Sequence, residues 1–376
     1  MSRKIARYIA EHTVETPCLV VDLDIIAQNY KRLAKALPLA KIFYAVKANP
    51  AAPVLGVLRD LGSSFDTASI YEIEHCLTHG IGAERISFGS TIKKERDIAA
   101  AFGRGVRLFA FDSEAELAKL GRAAPGAQVF CRIYFESAGA EWPLSKKFGC
   151  SLDMAADLLA RAKELGLDPH GVSFHVGSQQ TDPAQWDLAL GKTKMLFTTL
   201  QERGIELKMV NLGGGFPARY RKRIPGTETY GEAIMKAVVK HFGNEIPQLI
   251  VEPGRGVAGD AGIIQTEVVL ISKKNAEDKK RWVYLDIGKF GGLPETMDEA
   301  IKYRLVTPHD GKPAGKVILA GPTCDEVDVL YDKAGYELPL ELAVGDKVQV
   351  MSAGAYTTTY SSVGFNGFPP LREVYI

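Results

Sequence analysis

The feature that most constrains this chain is an alternation, eight units long, running from about residue 41 to 255. Each unit joins a short apolar or β-branched run to a longer amphipathic stretch. The runs are KIFYAVKA (41–48), SSFDTA (63–68), RISFGS (85–90), VRLFAFD (106–112), AQVFCRIYF (127–135), GVSFHVG (171–177), LKMVNLGG (207–214) and QLIVEPG (248–254). Patterns such as IYEIEHCLTHG and MAADLLARAKELG lie between them and close near a glycine, as helix C-termini do. Nearly continuous apolar strands suit parallel pairing with both faces covered. An open doubly wound sheet fits this pattern too, but eight consecutive units point to an α/β chain built on a (β/α)8 barrel.

Past residue 260 the texture changes. GIIQTEVVLISKK, RWVYLDIG, GKVILAGP and GDKVQVMSAG are strand-like runs separated by turn-rich segments, which reads as a mostly antiparallel β domain. The early run TPCLVVDLD (16–24) is strand-like as well. The expected division is a barrel over 27–260 and a β domain over 261–376 that takes a strand from 1–26.

Lys and Arg total 46 against 45 Asp and Glu, a formal charge of +1. That balance gives no reason to expect nucleic acid or an anionic membrane as partner. No apolar stretch approaches the ~20 residues that span a bilayer, and the opening MSRKIARYIAEHTVE has no secretory core. The five cysteines are widely spaced without a CxxC pair, so they read as reduced thiols, with neither a disulfide framework nor a metal site. A cytoplasmic enzyme is the expectation.

In a barrel, chemistry comes from the C-terminal ends of strands and the loops that follow them. Those ends bring together Lys47, His175 with Ser178, the triplet Gly213, Gly214 and Gly215, and Glu252 with Gly254 and Arg255. Lys47, placed in an apolar strand, is expected to be desolvated and so a usable nucleophile. Bare glycine N–H groups beside a guanidinium suit a phosphate. Each feature alone has a plain structural reading: a lysine reaching water, a tight turn, a Glu252–Arg255 ion pair, a core histidine. Together they are an amine, a phosphate cradle and a carboxylate for a ring nitrogen, the contacts that pyridoxal phosphate requires.

The motifs FYAVKANP, FDTAS, FHVGSQ, GGGFP, EPGRG, GPTCDEVD and GAYTTTYSSVGFNGF occur in this order from residue 43 to 368. Taken together they resemble the fold-type III pyridoxal-phosphate enzymes, and within them the ornithine/lysine decarboxylase branch. The resemblance implies that Lys47 carries the cofactor and Glu252 meets its ring nitrogen. It implies that His175 stacks on the ring, and that Ser178, Gly215, Arg255 and Tyr356 hold the phosphate. Asp66 and Arg132 match positions lining the cofactor pocket. Cys324 would donate a proton to the substrate, and Asp325 would receive the distal ammonium of ornithine or lysine. The implied assembly is a homodimer with shared sites, with Lys147 and Asp328 paired across it. The segment FGGLPETMDEAIKY (290–303) departs from the eukaryotic pattern, and which of Glu295, Asp298 and Glu299 faces the substrate stays open, as does ornithine against lysine. On a helix, those carboxylates would equally form a solvated face.

Alternatives on the same scaffold are a diaminopimelate decarboxylase or an amino acid racemase; Cys324 followed by Asp325 argues against both. A non-catalytic cofactor-binding homologue is disfavoured because Lys47, Glu252 and Cys324 are all present.

Overall fold

The protein is described from a computed structural model that covers residues 1–136, 138–142 and 147–376. Eight parallel strands close a barrel: Ala40–Ala45, Ser64–Thr67, Ile86–Phe88, Leu108–Phe111, Gln128–Arg132, Asp168–Ser173, Met209–Asn211 and Gln248–Val251. Every strand lies inside one of the eight runs or overlaps it. Closure is made by the last strand pairing with the first, Leu249 opposite Ala40 and Val251 opposite Ile42. Phe43, Ala110, Phe130, Met209 and Ile250, from five different strands, pack against one another in a buried cluster. Burying a side chain of the size of Phe or Ile contributes ~1.5–3 kcal/mol.

Local chemistry sets where the barrel helices begin. Ser69, Ser113 and Ser151 are N-caps of Ile70–Thr78, Glu114–Ala123 and Leu152–Glu164, each accepting a backbone N–H at 3.2 or 3.3 Å. These hydroxyls satisfy N–H groups that the first turn of a helix leaves without partners.

By packing, the chain divides into two compact units. One holds Ala27–Pro217 and Pro225–Gly256, the barrel. The other holds Met1–Ile26, Ala218–Ile224 and Val257–Ile376. The second unit carries a nine-stranded, mostly antiparallel sheet whose central strand is Gly262–Ser272. That strand pairs with Lys347–Met351, with Arg281–Leu285 and with Cys18–Val21, all antiparallel. Two strand pairs in the sheet are parallel, Cys18–Val21 with Arg372–Tyr375 and Arg281–Leu285 with Ala314–Ala320. Among the described residues no helix is long and apolar enough to cross a membrane.

Candidate active site

Lys47 does not lie in the strand where the sequence pattern places it. The first barrel strand ends at Ala45, and Lys47 occupies the single turn Val46–Ala48 that follows. Its side chain is 48% exposed, so burial does not act on this amine in the way expected. What the fold supplies is a partner. The ammonium donates to Asp66 Oδ2 at 3.2 Å, from the end of the second strand. Asp66 is buried, and Ser87 Oγ, from the third strand, donates to its other oxygen at 3.2 Å.

His175 follows the sixth strand. The Gly177 N–H donates to its Nδ1 at 2.9 Å, so that nitrogen carries no proton. Burial, with the positive charges of Arg132 and Lys47 nearby, pushes the imidazole down to about 3. The ring is therefore neutral and flat at ordinary pH. Arg132 ends the fifth strand, half-buried close to Glu252, Asp112 and Asp66, and desolvation lowers its proton affinity against the pull of those three carboxylates.

The glycine triplet closes the seventh strand. Gly213 and Gly215 have φ of +67° and +101°, a region that side chains disfavour. A Cβ on Gly213 would stand 2.3 Å from the Phe174 carbonyl oxygen, and one on Gly215 would stand 2.6 Å from that of Gly177. Only bare backbone lets this turn lie against the turn that carries His175. Beside it, the buried Arg255 donates from Nη2 to Ser178 Oγ at 3.2 Å, so the guanidinium meets a serine hydroxyl at the edge of the glycine turn.

Glu252 directly follows the eighth strand. Burial and the Asp66 charge push its carboxyl up to about 7, against the opposing pull of Lys47, a hydrogen bond from Asn211, and Arg132. Asn211 was not among the residues singled out from the sequence. Its only signal there is a polar side chain closing an otherwise apolar strand, directly before Leu212 and the glycines.

One rim thus carries an amine, a neutral imidazole, a tight glycine turn beside a buried guanidinium and hydroxyl, and a recessed carboxyl. The donor set fits a flat, phosphate-bearing aldehyde: cation and N–H donors for the phosphate, a flat ring for stacking, a carboxyl for a ring nitrogen and an amine for the carbonyl.

The second unit holds the other candidates. Cys324 is exposed, and its N–H donates to Asn366 Oδ1 at 2.7 Å. Asp325 Oδ1 accepts the Val327 N–H at 3.0 Å. Pro294–Glu299 is not an α-helix: it is a 3-10 segment broken at Met297, with Asp298 and Glu299 at positive φ. Glu295 is buried and Asp298 exposed, while Glu299 Oε1 accepts the N–H groups of Asp332 and Lys333 at 2.7 and 2.6 Å. A single solvated helical face is therefore excluded. Tyr356 sits at a φ of +58°.

Asp328 anchors a turn of this unit. It is buried, and its carboxylate accepts Lys289 N–H at 2.7 Å, Thr323 N–H at 3.2 Å and Thr323 Oγ–H at 2.7 Å. It pins two turns of its own unit together.

Comparison with known proteins gives the family. The family model described as pyridoxal-dependent decarboxylase, pyridoxal binding domain, matches residues 23–259. The lysine/ornithine decarboxylase of Selenomonas ruminantium is 36% identical over 372 residues, covering 98% of this chain and 91% of that protein. The ornithine decarboxylase of Mus musculus is 34% identical over 372 residues, covering 95% of this chain and 80% of that protein. A crystal structure of the Selenomonas ruminantium lysine decarboxylase in complex with PLP and cadaverine matches with a TM-score of 0.89 at 34% identity, covering 100% of this chain and 94% of that one. On the motifs, the barrel, the rim and these likenesses, the chain belongs to the pyridoxal-dependent decarboxylases of the ornithine/lysine decarboxylase family, an amino acid decarboxylase of basic substrates with pyridoxal 5'-phosphate as its cofactor.

Proposed function

We propose that the chain decarboxylates ornithine to putrescine in preference, and lysine to cadaverine second, supplying polyamine synthesis. The observation that carries this reading is the exposed Cys324 thiol beside Asp325, on a turn held by Asn366. A carboxylate there suits a distal ammonium and repels a distal carboxylate. The relatives' names support the choice, since both act on ornithine and one on lysine as well.

Pyridoxal phosphate, when bound, supplies a carbonyl for the substrate amine and a ring that draws electrons from the bond being broken. The residues do the rest. Lys47 carries the cofactor, with Asp66 orienting its amine. Glu252 would meet the ring nitrogen, His175 would offer its neutral ring for stacking, and Arg132 would line the pocket. Ser178, Gly215, Arg255 and Tyr356 hold the phosphate, and Gly213, Gly214 and Gly254 shape the turn around it. Asp325 binds the distal ammonium, and the Cys324 thiol delivers a proton to the α-carbon after CO2 leaves. With Glu299 committed to backbone N–H groups, Glu295 and Asp298 are the remaining candidates in that segment for contact with the substrate. The assembly is a homodimer in which each chain lends Cys324 and Asp325 to the other's site.

The test is CO2 release from ornithine, lysine, arginine and meso-diaminopimelate measured in parallel. The highest kcat/KM is expected with ornithine and the next with lysine. Faster release from arginine or meso-diaminopimelate overturns the assignment.

A further inference from the structure

Glu252 is held by more than its own strand. Its N–H donates to the Gly213 carbonyl at 2.9 Å, so the end of the eighth strand is tied to the glycine turn after the seventh. Asn211, the last residue of the seventh strand and 1% exposed, makes a second tie. The Gly213 N–H donates to Asn211 Oδ1 at 2.9 Å. A backbone N–H can only donate, so the atom it meets is the amide oxygen, and the amide NH2 must point the other way. There it donates to Glu252 Oε1. One buried amide therefore touches the glycine turn with its acceptor and the carboxyl with its donor.

We propose that Asn211 is a positioning residue that fixes the orientation of the Glu252 carboxyl and favours its ionised form, coupling that state to the glycine turn. The proposal rests on the reading that Glu252 serves the ring nitrogen. Asn211 gives its donor hydrogen to Oε1 in either form, but the bond is stronger to the carboxylate, because a charged acceptor strengthens a hydrogen bond and a neutral carboxyl must keep its own proton on the other oxygen. The other groups around Glu252 come from different strand ends. Asp66 opposes its ionisation, Lys47 and Arg132 favour it, and His175 is neutral. With burial and Asp66 driving the carboxyl up to about 7, the balance at physiological pH is close enough for one hydrogen bond to decide it. The same amide also gives the pocket a mechanical link, because displacing the glycine turn moves the acceptor half of the group that orients Glu252.

Two variants separate the roles. Asn211→Asp is isosteric and keeps an acceptor for the Gly213 N–H, but it removes the donor toward Glu252. Asn211→Ala removes both. The first measurement uses the apoprotein: an infrared titration of protonated carboxyl groups, with the Glu252 signal assigned by its disappearance in Glu252→Gln. Protonation of Glu252 is expected at higher pH in both variants, by about one pH unit, the size of one lost charge-assisted hydrogen bond. The shift is larger in Asn211→Asp, where a second carboxyl competes for the same proton. In the holoenzyme, the acid limb of kcat should move upward in parallel, with KM changed by less than about twofold. If Asn211→Ala does not fold, Asn211→Asp carries the test alone. A Glu252 titration unchanged in Asn211→Asp reduces Asn211 to a space-filling residue and sinks the proposal. Failure of the underlying reading looks different: Glu252→Gln would then turn over like wild type, while the apoprotein shift in Asn211→Asp would still appear.

Discussion

The barrel rim and the turns of the β unit place their functional candidates in opposite ways. On the rim, each side chain sits within a few residues of the end of a hydrogen-bonded parallel strand, and the strands close on one another. Position is fixed by backbone, and side-chain contacts such as Lys47 to Asp66 or Arg255 to Ser178 refine it. In the β unit, Cys324, Asp325, Asp298, Glu299 and Tyr356 stand on turns, three of them at positive φ. There, position is fixed by carboxylates reaching across to backbone N–H groups, as Asp328 does to residues 289 and 323 and Glu299 does to residues 332 and 333. The difference teaches where each region is vulnerable. A half-exposed rim residue such as Lys47 can be lost at the expense of chemistry alone, whereas a clamp in the β unit takes its surroundings with it.

Lys47→Ala gives the largest effect and the cleanest rim case. Turnover should fall by at least about 10³-fold with the melting temperature little changed, because the lysine side chain is half exposed. Borohydride reduction of the wild type followed by peptide mapping should place the cofactor on Lys47; a label on another lysine breaks the assignment. Cys324→Ala should slow decarboxylation by about 10²-fold, since bond breaking remains possible but its acid is gone. Mixing the Lys47→Ala and Cys324→Ala chains should restore about a quarter of wild-type activity, because half of the random dimers then own one complete site of two. Verified subunit exchange without recovery of activity would show that Cys324 serves its own chain.

The clamps sharpen the contrast from the other side. Asp328→Ala strands the N–H groups of Lys289 and Thr323 and should cost about 3 kcal/mol, read as a lowered midpoint in urea. Glu299→Ala should cost less, about 1 kcal/mol, since it releases two N–H groups at a more exposed turn. It should also change the ornithine-to-lysine ratio of kcat/KM more than Asp298→Ala does. If Asp298→Ala changes that ratio more, the segment acts by direct contact and not through its anchor.

The sequence made the two regions unequally legible for the same reason. Period, glycine stops and apolar runs announce a barrel strand, so all eight strands and the rim residues at their ends could be named before any coordinate. Lys47 was placed one turn too early because the run continues apolar through Val46, past the last paired residue, Ala45. The clamps leave no periodic trace. Nothing near Asp328 reveals that it is buried against residues 289 and 323, and the amphipathic look of residues 290–303 conceals a chain broken at Met297. Asn211 is a similar case inside the barrel. Its two partners, Gly213 and Glu252, lie two and forty-one positions away, and only the fold brings the distant one back.

Closure of the ring also has a consequence in time. Lys47 follows the first barrel strand and Glu252 the last, and the strands meet through Leu249 opposite Ala40 and the Ala45 N–H donating to the Pro253 carbonyl at 3.0 Å. No earlier part of the chain can stand in for that seam. During synthesis, the cofactor's two ends of the ring exist together only after some two hundred intervening residues have been made and ordered, a long-range contact of the kind that slows folding. With Lys47 and Glu252 in their proposed roles, cofactor capture is a late event that reports the ring is whole. Because a ligand bound only by the finished fold draws the equilibrium toward it, supply of the vitamin-derived cofactor should govern how much of the newly made chain survives.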